Sequence, residues 1–177
     1  MTQTNRRLSA LLAALLLALP LCACSSVPRI TDEAAMPLQH VIDGVINGDL
    51  RTYLSAFPDD YVTAITEEYE RSVCPDFTAY MQDFLASALD VHRDNLGDEA
   101  ALWFDVEGKT ELTESEWNDC FEGYVDYNVI QYRPDASKTA EAYKISGTLH
   151  RRGSENETEA QGNFIVLLYD GKWVLHP

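Results

Sequence analysis

Residues 162–175 read GNFIVLLYDGKWVL. Phe164 to Leu168 is apolar without a break, which predicts a strand covered on both faces. Asp170-Gly171 is a two-residue hairpin signal, because such a turn needs positive φ at both positions. Lys172 to His176 then returns as the last strand. One step upstream, Tyr143, Ile145 and Leu149 alternate with Lys144, Ser146, Thr148 and His150. That period of two predicts a partner strand, with the turn in the polar stretch Gly153-Ser154-Glu155-Asn156. Strands joined by tight turns pair antiparallel.

Further upstream the pattern divides at Gly97. After it, Leu102, Phe104 and Val106 fall on one face of an earlier strand, with Trp103 and Asp105 on the other. Thr113 with Glu116 three residues later fits a capping box. It opens a short helix whose inner face is Trp117, Cys120, Phe121 and Tyr124. Tyr127 to Tyr132 reads as a short strand or an irregular run.

Before Gly97 the period is helical. From Asp76 to Leu96, the residues Phe77, Tyr80, Met81, Phe84, Leu85, Ala88, Leu89, His92 and Leu96 recur on one side of a long helix. So wide a stripe is either core packed against the sheet or a ligand-binding wall, and core packing is the simpler reading. Three shorter helices precede it. Pro37 opens the first, with a stripe of Leu38, Val41, Ile42, Val45 and Ile46 that stops at Asn47-Gly48. Asp49 caps the second, which carries Leu50, Tyr53, Leu54 and Phe57. Pro58-Asp59-Asp60 starts the third, Tyr61 to about Glu70. Helices first and an antiparallel sheet afterwards define an α+β fold. The expected architecture is N-terminal helices packed on one face of a curved, mostly antiparallel sheet, over residues 36–177 as a single domain.

The chain begins with a different kind of segment. Arg6 and Arg7 precede an almost unbroken Leu/Ala run, Leu8 to Leu19, and then Leu21-Cys22-Ala23-Cys24. A membrane-spanning helix needs about 20 apolar residues. Leu8 to Ala23 offers 16, with Pro20 inside, which is closer to a signal-peptide core. A small residue immediately before a cysteine resembles the bacterial lipoprotein signal. The expectation is a signal peptide over 1–23, lipid attached to Cys24, and a tether over 24–35. Cleavage without lipid is the alternative, since Ala23 also suits ordinary signal peptidase. Cys22 is the poorer acceptor because bulky Leu21 precedes it.

Charge narrows the partners. The formal net charge is −16, and removing residues 1–23 takes away two arginines and no acid, leaving −18. Such a surface repels phosphate backbones, so nucleic-acid binding is excluded as an expectation. It also repels anionic headgroups, which makes a covalent anchor the sensible route to the membrane. Cys74 and Cys120 form an even pair outside the cytosol and invite a disulfide across a loop of about 46 residues. Two buried thiols that never meet is the other reading. His40, His92, His150 and His176 are isolated in sequence, and no paired-cysteine or paired-histidine spacing suggests a metal or other cofactor.

Three pieces of the chain carry a resemblance: Val41-Ile42-Asp43-Gly44-Val45-Ile46-Asn47-Gly48-Asp49, the break at Phe57-Pro58, and the closing hairpin Ile165 to Trp173. Together they resemble bacterial lipoproteins with a nuclear-transport-factor-two-like (cystatin-like) domain, of the kind found in Gram-positive gut bacteria. The resemblance implies a cone-shaped bent sheet wrapped on helices, often with an open pocket at its wide end. It implies no activity, since isomerases, dehydratases and plain binding domains share that scaffold.

Residues that alternation or helical spacing offers to a pocket are Tyr80, Trp103, Asp105 and Tyr143, with His92, Tyr124 and His150 in a wider set. For Asp105 and His150 the plainer reading is solvent. No nucleophile elbow, phosphate loop or triad is readable, so no catalytic residue is assigned. The expected function is a lipid-anchored extracytoplasmic binding module for a small apolar ligand, a peptide or an envelope protein. A structural lipoprotein or a small isomerase-type enzyme are the alternatives.

Overall fold

A computed structural model describes residues 27–117 and 132–177. Four α-helices come first: α1 Met36–Asn47, α2 Leu50–Leu54, α3 Asp59–Ser72 and α4 Phe77–Leu96. Four strands follow: β1 Ala101–Glu111, β2 Thr139–Arg152, β3 Glu157–Tyr169 and β4 Lys172–Leu175. The strands lie in the order β1-β2-β3-β4, every neighbour antiparallel, in an open, curved sheet. The α+β class and the antiparallel sheet read from the sequence are therefore present.

Local chemistry explains the boundaries. Asp49 and Asp76 cap α2 and α4, their side chains accepting from the amides of Thr52 and Ala79. Gly48 ends α1 at φ 62°, the left-handed position that suits glycine. Asp170 and Gly171 both have positive φ, as the two-residue hairpin requires.

The main core lies between α1 and the inner face of the sheet. Leu38 and Ile42 meet Phe104, Ile145, Val166 and Leu175, with Phe164 and Trp173 packed alongside. The segment ahead of α1 belongs to this core. Ile30, Ala34 and Ala35 are buried, and Asp32 caps a 3-10 turn at Glu33–Ala35. The tether expected over 24–35 is thus part of the domain from Ile30 onward, because its small apolar residues fill the space between α1 and the sheet.

A second core sits on the opposite face. Ala142, Leu167, Tyr169 and Val174 pack with Trp117, beside the helical residues 114–117. Helical structure therefore covers both faces at the β4 end, which explains why β3 is apolar on both sides. The capping box is present: Glu116 accepts from the Thr113 amide and hydroxyl.

Two further expectations need correction. Val106 is exposed rather than inward, because the register shifts between Val106 and Gly108 and the bulge turns the chain. Helix α4 does not lay its stripe along the sheet. Only Phe77, Leu85, His92 and Leu96 are buried, and its neighbours are chiefly α1, α2 and α3.

Gly147 and Gly162 face each other across β2 and β3, and the edge-to-face pair Phe104 and Phe164 lies against them. A Cβ on Gly147 would fall on the Asp105 carbonyl oxygen and within 2.8 Å of the Phe104 ring. At Gly162 it would meet mainly the Phe164 ring. Gly147→Ala should lower stability by about 1–3 kcal/mol, and by more than Gly162→Ala, because a backbone oxygen yields less than a ring. Urea unfolding followed by circular dichroism measures both.

Candidate functional site

Helix α4 touches the sheet chiefly at its C-terminal end, and that contact is built from backbone groups. The Leu96 carbonyl accepts from the amides of Glu155 and Asn156 at 2.9 and 3.2 Å, and the Asp98 carbonyl from Ser154 at 2.6 Å. The turn between β2 and β3 thereby satisfies a helix end that would otherwise leave carbonyls unpaired. His92, one turn earlier, places Nε2 3.0 Å from the Arg152 carbonyl. Before that point the helix stands away from the strands.

The gap is a cleft of about 480 Å³. Val45 of α1 and Ala88, Leu89 and Val91 of α4 form one wall; Leu102 of β1 and Leu149 of β2 form the floor. His92, Asn95, Arg151 and Thr158 supply the polar groups at its edge. Its volume lies within the roughly 300–1,000 Å³ typical of small-molecule sites, and its composition has the usual form of apolar walls with a few polar groups. Of the residues read as the inner stripe of α4, Ala88, Leu89, His92 and Leu96 line this cleft, so that end of the stripe serves as a wall.

The other end of α4 lines a smaller groove of about 220 Å³, walled by Tyr53, Phe57, Tyr61, Tyr69, Tyr80 and Phe84 among others. Tyr80 and Phe84 are 41% and 48% exposed, so the groove is shallow.

The four sequence-predicted pocket residues separate into three places. Tyr80 lies in the aromatic groove. Tyr143 packs at the core edge, its ring 5.6 Å from that of Trp173, with Lys109 Nζ 4.4 Å above it. It is a packing residue. Trp103 and Asp105 meet on the outer face of the sheet, both beside His150. The Trp103 and His150 rings stack at 4.7 Å with 2° between planes, and Asp105 Oδ2 lies 3.0 Å from His150 Nε2. Among the described residues of the wider set, His92 borders the cleft and His150 does not; Leu89 belongs to the stripe whose alternatives are core and ligand-binding wall, and nothing in the sequence singles out Leu149 or Arg151 for a pocket. Cys74 is a half-buried free thiol, while Cys24, Cys120 and Tyr124 lie outside the described residues.

A polar clasp fixes the helical layer to the sheet. Asp60, in the first turn of α3, accepts from Tyr169 at 2.6 Å and Tyr132 at 2.7 Å, with Lys138 Nζ at 3.3 Å. Burial pushes the Asp60 carboxyl up, but the three donors together outweigh it and hold it below its ordinary value. The tyrosines respond oppositely: burial and the adjacent carboxylate both raise them.

No protein-family model, curated protein or solved structure matches this chain.

A carboxyl depressed by folding stabilises the native state above its ordinary value near 3.8, and that contribution disappears as pH falls through the lower folded value. Asp60→Asn should cost about 1–2 kcal/mol at neutral pH, discounted because the side chain is 39% exposed. It should also flatten the acid limb of a stability-against-pH curve from urea titrations. A variant curve parallel to the parent's would show that the clasp does not carry the acid dependence.

Proposed function

We propose that this protein is a lipid-anchored extracytoplasmic binding module that holds a small apolar ligand in the cleft between α4 and the sheet. The observation that carries the reading is the cleft itself: a drug-sized volume walled by valines and leucines, with Arg151 at its edge. An arginine at the mouth of an apolar cleft, on a chain of net charge −16, selects an apolar molecule with an acidic end. Cys24 would carry the lipid, and the domain would follow closely, since the fold already begins near Ile30. The helices-then-sheet order and the closing Asp170-Gly171 hairpin support assignment to the nuclear-transport-factor-two-like (cystatin-like) group. An open cleft at one end of a curved sheet agrees with that scaffold. Among the described residues, no helix is long and apolar enough to cross a membrane.

A fluorescent medium-chain fatty acid, titrated into the full chain, tests the reading. Saturable binding is expected. Ala88→Phe should abolish it by filling the cleft, and Arg151→Gln should weaken the acid but not the corresponding alcohol. Binding that survives Ala88→Phe unchanged, or no saturable binding at all, would overturn the proposal.

A further inference from the structure

We propose that His150, Glu157 and Glu159 form a binding site for a divalent first-row transition-metal ion on the outer face of the sheet, with Asp105 as the positioning residue. This site lies on the opposite side of β2 from the cleft and does not rest on the ligand reading.

Strand geometry assembles the group. Trp103, His150 and Glu159 are directly opposed across β1, β2 and β3, so they form one row on one face. Asp105 and Glu157 are each two residues along from that row, on the same face. His150 is largely buried by its neighbours, with 14% of its side chain exposed. The Trp103 ring covers one of its faces, and Arg152 sits 5.1 Å from the Trp103 ring. The imidazole is therefore held in a fixed orientation, while the two glutamates remain about half exposed and free to adjust.

The two ring nitrogens have different surroundings. Nε2 faces Asp105 at 3.0 Å. Nδ1 is buried and has no hydrogen-bond partner, although Glu159 Oε1 lies 3.2 Å away and Glu157 Oε1 4.0 Å away. A buried nitrogen with two carboxylate oxygens around it and no aligned bond is a cation-shaped gap. The ligand atoms of His150, Glu157 and Glu159 all lie within 4.8 Å of one another. Bonds of about 2.1 Å to one ion place adjacent ligands roughly 3.0–3.4 Å apart and opposite ones about 4.2 Å apart. The Glu159 spacing already fits, and a small rotamer change brings Glu157 in.

Asp105 completes the arrangement. Metal-bound histidines usually give their second ring nitrogen to a carboxylate, which fixes the ring and raises its basicity. An aspartate–histidine pair also serves general bases. Here, however, Nδ1 faces two carboxylates instead of open space for a substrate. One imidazole and two carboxylates suit zinc or manganese better than calcium, and three protein ligands leave positions for water.

Calorimetry with the full chain, stripped by a chelator and free of any affinity tag, tests the site with Zn²⁺ and Mn²⁺ as probes. Saturable uptake of one ion per chain is expected. Glu159→Gln and His150→Ala should each weaken it at least tenfold, and Asp105→Asn by about 10- to 100-fold at unchanged stoichiometry. Glu141→Gln, a distant acid on the same strand, should leave it unchanged. Glu159→Gln replaces an exposed side chain by one of the same shape, so circular dichroism should show an intact fold. Absence of saturable uptake of either ion would overturn the proposal. So would uptake indifferent to Glu159→Gln and His150→Ala, which would mark diffuse attraction to an acidic surface.

Discussion

The antiparallel pairing of β2 with β3 is the constraint on which the rest depends. Its register runs from Thr139 opposite Tyr169 to Arg152 opposite Glu157. Because side chains alternate, this single alignment decides both faces at once. It turns Ile145, Phe164 and Val166 inward against α1, and it sets Glu159 beside His150 on the other side. A slip of one residue would invert every position. Core burial and the outer polar row would be lost together. The facing glycines Gly147 and Gly162 add a local lock, since the Phe104 and Phe164 rings occupy the space where side chains would stand.

Helix α4 shows what happens where that constraint ends. Its C-terminal end is tied to the β2–β3 turn by backbone hydrogen bonds, and the clasp around Asp60 separately ties α3 to the sheet. Between those attachments α4 stands off from the strands, although both sides of the gap are apolar. Burial proportional to area would favour closure. Contacts with α1, α2 and α3 already take up Phe77 and Leu85, however, and the clamped end fixes the angle. The cleft is the geometric remainder of those attachments, with Leu102 and Leu149 half-buried at its floor.

Much of this was legible in the sequence because it rests on local rules. Period two marks β2, the unbroken apolar run Phe164 to Leu168 marks β3, Asp170-Gly171 marks the hairpin, and Asp49 and Asp76 mark two helix starts. What could not be read was non-local. Nothing in the α4 stripe says that its partner is three other helices rather than a sheet. The bulge near Gly108 has no periodic signature, so Val106 was assigned inward. Ile30 looked like linker because three buried residues are too few to show a period. At the outer face, Trp103 and Asp105 were correctly placed on one side of β1, but His150 and Glu159 join them only through the register. Histidine spacing along the chain carries no trace of a cluster assembled across three strands.

The same strand end serves both faces. On β2, Leu149 and Arg151 point to the cleft and His150 points away from it; on β3, Thr158 borders the cleft between Glu157 and Glu159 on the outer side. Hairpin ends are ordinarily among the less stable parts of a sheet, since they carry few buried contacts. From the helix side the turn is held by the carbonyls of Leu96 and Asp98, with His92 on the Arg152 carbonyl beside it. A cation shared by His150 and Glu159 would cross-link β2 to β3 directly behind the cleft floor. The wall that a ligand touches would then be stiffened from the face it does not touch, with no change in the inner contacts. That economy follows from period two: adjacent residues of one strand can build two sites without competing for space.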